Sequence, residues 1–300
     1  MAHRGILVAW VAGAVLLAGT SRLAGQNADP LAVRGRLLAY LTDYESQLGR
    51  MVADEQFTQW PHSRPGYGTG RSDGISRDET RPRILHSTVA FVPLPGNAGW
   101  LGYREVRTVN GKPTSRSGLP LEALLQRDSE DGRERALALL LEGARHNLGA
   151  PRTINLPSLA LEMLHRRNEA RFVVVGSGRE RAGDCAAVRI DLVETVRPTL
   201  IRGREGGDMP TRLSAWVEPV TGRLCRTEAR TRDGQLGAWF EAVVRVDFAH
   251  DPTIDLTVPV RLYEVFFDPP RHKGDGEAVY SNYRRMGGAG MPRQIPGPPA

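Results

Sequence analysis

Few side chains in this 300-residue chain stand at spacings that could support chemistry. The histidines His62, His86, His146, His165, His250 and His272 include no pair at the HxH or HExxH spacing that brings two imidazoles to one metal, so no metal site is expected. There is no GxSxG elbow and no SxxK motif, and Ser117 and Ser177 lack the neighbours that would activate a hydroxyl. Gly176-Ser177-Gly178 follows the apolar run Phe172–Val175 as a phosphate-cradling turn would. A dinucleotide site needs a helix next, however, and Cys185–Glu194 has strand periodicity, so the motif reads as a hairpin and no cofactor is expected. Four acids remain of interest: Asp54, Glu55, Glu105 and Glu264. Two carboxylates ~5–9 Å apart in space could hydrolyse a glycoside however distant they are in sequence. Burial would raise the pKa of Glu264 within Leu262–Phe267. The preferred reading makes it an outward-facing sheet carboxylate paired with Arg261 or a neighbouring strand. No catalytic residue is assigned.

The leader fixes the compartment these groups would work in. Arg4 precedes the apolar run Ile6–Thr20, and Ser21–Gly25 closes it with small residues, the pattern of a signal peptide over 1–25. Cleavage is expected after Gly25, or else after Ala28; an uncleaved anchor is the alternative. Gln26 stands where a lipidated cysteine would follow Leu23-Ala24-Gly25, so no lipid anchor is expected there. No later run of eighteen apolar residues appears, so the exported chain is read as periplasmic or secreted, with no transmembrane segment after signal removal. The net charge of +6 falls to +4 once Arg4 and Arg22 leave, and the remaining arginines are interleaved with acids. Nucleic acid would call for a clustered basic patch and is not an expected partner. Export invites a bridge between Cys185 and Cys225, the two cysteines. Strand parity argues against it: Cys185 shares a face with Arg189 and Asp191, whereas Cys225 aligns with Thr227 and Ala229, and a disulfide prefers Cα atoms ~5.5 Å apart.

Residue periodicity sets out the elements. Asp29-Pro30 reads as an N-cap with proline at the first helical position. Leu31, Leu37, Leu38, Leu41, Tyr44, Leu48, Met51 and Val52 then form one stripe of an amphipathic helix to about Arg50. A short strand is expected over Glu55–Gln59, and a loop over 61–82. Arg83–Leu94 and Trp100–Val109 read as strands, the latter closed by the Asn110-Gly111 turn. A helical insert spans 119–165, with pieces at Leu121–Leu125, Arg133–Leu148 and after Pro157. From Arg171 the period becomes two through seven strands: Phe172–Val175, Cys185–Glu194, Arg212–Glu218, Arg223–Arg232, Leu236–Phe248, Leu256–Phe267 and Glu277–Met286. Short turns between them make an antiparallel meander, apolar on one face and charged on the other, as in the row Arg226, Glu228, Arg230, Arg232. The tail 287–300 is too poor in apolar residues to pack.

This order of elements resembles the periplasmic lipoprotein carriers (LolA/LolB-like) and the exported bacterial proteins that share their half-barrel. The local likeness lies in the hairpin Leu213–Glu218, Thr221-Gly222, Arg226-Thr227-Glu228, and in the stretch Arg197–Arg202. The resemblance implies an α+β fold: a strongly curved antiparallel meander sheet, or half-barrel, covered on its concave face by helices and preceded by the amphipathic helix. One domain over 29–286 is expected, with 61–82 as a flexible loop and 287–300 as a disordered tail; that loop and the 119–165 insert exceed what a minimal carrier would have. The resemblance further implies an apolar concavity able to hold an acyl chain, with Val188, Ile190, Leu192, Leu213, Val217, Phe240, Val244 and Val246 as ligand-binding residues. Trp100, Trp216 and Trp239 are further aromatic candidates for its lining. The function expected first is non-enzymatic binding of lipid, lipoprotein or another apolar ligand. The alternatives are an envelope interaction module that uses 61–82 and the tail, and a hydrolase with sequence-distant acids.

Overall fold

The computed structural model describes residues 29–49, 51–62, 81–93, 100–115, 120–121, 123, 130–149, 151–203, 206–232, 240–268 and 272–286. The leader, most of the 61–82 stretch and the tail lie outside the described residues, as does Trp239. Helix α1 covers Pro30–Leu48, and its cap is the expected one: the Asp29 carboxylate accepts from the Leu31 amide at 3.0 Å, with proline next in the chain. Such a cap stabilises a helix by about 1 kcal/mol. Val33, Leu37, Leu41, Tyr44 and Leu48 form its buried stripe. Met51 and Val52, assigned to this helix by periodicity, instead open β1 (Met51–His62), whose 12 residues are more than twice the expected length and take in Pro61 and His62. Then come β2 (Arg83–Pro93), β3 (Trp100–Val109) and the two-residue β4 (Lys112–Pro113). Asn110 and Gly111, with φ of 49° and 76°, make the left-handed turn between the last two.

The insert supplies α2 (Glu130–Ala144) and α3 (Ser158–Leu164), followed by a single 3-10 stretch, Arg166–Arg171. The seven later strands are β5 (Phe172–Ala182), β6 (Cys185–Glu194), β7 (Thr211–Val217), β8 (Leu224–Arg232), β9 (Glu241–Asp251), β10 (Leu256–Asp268) and β11 (His272–Arg285). Gly176-Ser177-Gly178 lies within β5, and the turn to β6 falls at Gly183 and Asp184, with Gly183 at φ 60°.

All eleven strands form one antiparallel sheet in the order β4-β3-β2-β1-β11-β10-β9-β8-β7-β6-β5. The expected strongly curved half-barrel is not formed. The sheet is neither strongly curled nor closed, and its ends, β4 and β5, do not meet. β1 pairs with β11 along eleven register positions, so the N-terminal strands extend the late meander sideways as further members of the same sheet. Open sheets of this width curl, split or flatten. On the inner side α1 touches β2, β5, β6 and β10, while α2 and α3 lie on β3. Together with the strands they bury one continuous cluster that includes Leu37, Tyr44, Phe57, Leu85, Val89, Ile190, Leu213, Val246 and Leu262. Each such side chain contributes about 1.5–3 kcal/mol of burial. The Thr221-Gly222 turn fits closely beneath α1: a Cβ on Gly222 would lie 2.3 Å from the Arg36 carbonyl oxygen, and its φ is 78°.

Cys185 and Cys225 are joined, with Cα atoms 6.3 Å apart. The parity argument fails at a bulge. Val217 pairs with Leu224 and Trp216 with Arg226, so Cys225 is the extra residue between them. Leu224 and Thr227 therefore both face the core, and Cys225 turns to the outer side, beside Ala182, Ala187 and Trp216.

Candidate functional site: a buried Arg-Glu-Asn network

The densest polar chemistry lies under the centre of the sheet, where strand β11 presents Gly274 and Gly276 inward. A Cβ on Gly276 would fall 2.5 Å from the Phe57 ring, and one on Gly274 would fall 2.6 Å from the Phe266 ring. Glycine is thus what lets the two rings lie on the strand. On the far side of each ring sits a guanidinium, Arg104 at 5.2 Å from the Phe57 centroid and Arg152 at 3.7 Å from that of Phe266. Both guanidiniums are held bidentate by a carboxylate. Arg104 donates from Nε and Nη2 to Glu55 at 2.7 Å each, and Arg152 donates to Glu264 at 2.5 and 2.9 Å. Glu55 and Arg104 are each 2% exposed, Glu264 0% and Arg152 7%.

Three amides tie the two pairs together. Asn155 accepts from Arg104 Nη1 at 2.8 Å through Oδ1, and its Nδ2 donates to Glu264 at 3.2 Å. Gln59 donates to Asn147 Oδ1 at 2.8 Å and accepts from the Leu148 amide at 2.7 Å, and Asn147 donates to the Arg152 carbonyl at 2.8 Å. The segment from α2 to α3 therefore reaches down to the sheet with Asn147, Arg152 and Asn155, while Arg152 Nη1 donates back to the Leu148 carbonyl at 2.7 Å. Burial alone would lower the Arg104 pKa, but the Glu55 carboxylate more than offsets this and the net direction is upward, so the guanidinium stays charged. Burial, reinforced by Glu55, pushes the Tyr280 phenol well above its ordinary value. Each carboxylate is engaged by a guanidinium and closed off from water. That is the chemistry of a clamp between insert and sheet, not of an exchanging proton.

The acids chosen from sequence are not brought together as a working pair. Asp54 takes Arg107 at 2.9 Å and Arg284 at 3.4 Å on the outer side, and Glu105 accepts from the Leu121 amide at 3.1 Å. Glu264 does not face outward, and its partner is Arg152, not Arg261, which pairs with Glu277 at 3.0 Å. Its alternation with Leu262 and Phe266 was the available signal for an inward carboxylate; Arg152 and Asn155 had none, because they sit in an irregular segment. Among the described residues no group of three metal-ligating side chains converges. His165 instead caps the 3-10 stretch, its Nδ1 accepting from the Arg167 amide at 3.1 Å.

The expected ligand-binding residues are interior packing. Val188, Ile190, Leu192, Leu213, Val217, Val244 and Val246 are all buried in the main cluster with α1, and Phe240 packs half-buried against it. Trp216 lies on the opposite side, by the disulfide. No curved concave face or ligand groove accompanies them among the described residues, which corrects the lipid-carrier expectation: their side chains pack in one cluster with those of α1. Among the described residues, one cavity beside Glu105, Glu142 and His146 has room for about one water. A second is an open groove of about 670 Å³ formed by Leu31, Arg34, the 3-10 stretch and the first residues of β5. None of the eight expected residues lines either cavity.

No helix among the described residues is long and apolar enough to cross a membrane. No family model matches the chain, and no curated protein does. Among solved structures it is similar to the crystal structure of a LolA-superfamily protein from Nitrosomonas europaea, at 10% identity and a TM-score of 0.32, over 88% of this chain and 94% of that one. Nothing about family, ligand or partner follows from that likeness.

Proposed function

We propose that the chain is an exported envelope protein acting as a protein–protein interaction module, with no enclosed ligand. Export rests on the leader pattern of residues 1–25. The observation that carries the reading is the filled inner wall, which leaves recognition to the exterior. On the outer side the register aligns Val243, Val265, Asp275 and Trp60 in one row across four strands. Tyr263 stands in the next row, opposite Glu277, and Val279 in the row after, opposite Arg261 and Gln56; they are 39% and 46% exposed. Aromatic and apolar side chains ringed by arginines and acids are what protein interfaces are enriched in. The test is photocrosslinking in intact cells from a reactive residue placed at Val279 or at Val175, with mass spectrometry of the purified protein for bound acyl chains. Discrete protein adducts and no stoichiometric lipid are the expected result. Lipid recovered mole for mole, or no protein adduct from either position, would overturn the reading.

A further inference from the structure

The two ends of the sheet are treated differently. An exposed edge strand is a template for another chain, and proteins blunt it by shortness, charge or bulges. At one end β4 is only two residues long. At the other, the last half of β5 carries Arg179-Glu180-Arg181 after the register shift between Val174 and Gly176. The first half has no such protection. Val173 and Val175 are 45% and 57% exposed, and β5 has no strand neighbour on its far side among the described residues.

Beside that bare stretch lies the open groove, lined by Leu31, Ala170, Phe172, Val173 and Val174 together with Arg34, Arg166, Arg167 and Glu169. Leu31 is 64% exposed. Arg167 is paired with Glu162, while Arg34 donates to the Glu169 carbonyl at 2.7 Å and so keeps its charge unopposed by that contact. Arg36 is exposed on the same helix. The groove thus joins apolar floor, uncapped strand edge and an excess of guanidinium. A second copy of the chain would bring the same arginines against these.

We infer that the first residues of β5 and this groove receive an extended acidic and apolar segment of a partner protein, which adds a twelfth strand to the sheet. The inference rests on the interaction-module reading and names its site. Main-chain hydrogen bonds to the β5 edge supply affinity, alternate apolar side chains enter the groove, and carboxylates meet Arg34 and Arg166. The bulge after Val174 limits the added strand to four or five residues, a length set by the unprotected half of β5.

The experiment uses the exported protein and a labelled seven-residue peptide, acetyl-Asp-Val-Glu-Ile-Asp-Val-Ser-amide, read by fluorescence anisotropy at low and high salt. Controls are the same peptide with lysine for its acids, and one with proline for its central isoleucine. The acidic peptide is expected to bind at least tenfold more tightly than either control, with affinity falling in high salt. Val173→Lys and Arg166→Glu, both at exposed positions, should each weaken it fivefold or more while leaving the circular dichroism spectrum unchanged. Slowed amide exchange should appear at residues 172–175. Equal binding of the lysine peptide, protection elsewhere, or a dimer that Val173→Lys abolishes would overturn the assignment. Adducts in cells from Val279 with no peptide binding here would sink this site and leave the module reading standing. No adduct from either position would sink both.

Discussion

Arg152 and Glu264 give the sharpest test of the clamp, because the pair can be broken from one side or removed whole. Arg152→Met keeps the side chain's apolar length over Phe266 but leaves the Glu264 carboxylate, 0% exposed, with the Asn155 amide at 3.2 Å in place of a guanidinium. A buried ion stripped of its partner costs about 3–5 kcal/mol. At roughly 2–4 °C per kcal/mol for a domain of this size, the melting temperature should fall by about 6–20 °C. Adding Glu264→Gln removes the stranded charge while keeping an acceptor for Asn155. The double variant then bears mainly the loss of the donor to the Leu148 carbonyl, about 1–3 kcal/mol, so it should be more stable than Arg152→Met alone. The coupling from a double-mutant cycle in urea, followed by tryptophan fluorescence, should be at least ~2 kcal/mol. It should also persist in 1 M salt, because screening does not reach a pair this deeply closed. The reasoning is refuted if Arg152→Met costs under about 1 kcal/mol, or if the two substitutions simply add.

Two further outcomes follow from packing and chain topology. Gly276→Ala places a methyl 2.5 Å from the buried Phe57 ring, and the ring cannot move without disturbing Arg104. A loss of about 1–3 kcal/mol is expected, checked by urea midpoint, with Gly178→Ala, where a Cβ meets nothing within 4 Å, as the control. Replacing Cys185 and Cys225 together by serine opens a loop of 40 residues, and the stability lost should be about 2–4 kcal/mol. Reducing the parent protein should reproduce that loss, and an unchanged melting temperature in both would show that the bridge contributes nothing.

Local signals carried much of the fold. The Asp29-Pro30 start of α1, the Asn110-Gly111 turn and the seven late strands follow from capping, left-handed turn residues and period-two alternation, all of which act within a few positions. What was hidden needs partners far apart. Nothing near Met51 says that β1 will lie against β11, more than two hundred residues away, and that single pairing joins the N-terminal strands to the late meander in one eleven-strand sheet. The disulfide was hidden for a smaller reason: one extra residue in β8 reverses which face Cys225 takes, and a bulge leaves no clear mark in residue type.

The site was misread at the same boundary between local and distant. Val188, Ile190, Leu192, Val244 and Val246 share one buried apolar face, but alternation alone cannot tell a wall that meets helices from one that meets a ligand. The structure decides between them through Glu55 and Glu264, placed on that inner face among Phe57, Leu262 and Phe266. Two carboxylates would be ruinous beside an acyl chain, since an unpaired charge in an apolar setting is costly. Arg104 and Arg152 neutralise them there, and the segment from α2 to α3 docks beside them with Asn147 and Asn155. The same residues that make the inner wall stable therefore pack it, and the interaction-module proposal accordingly looks to the outer face around Trp60 and Tyr263 and to the unblunted start of β5.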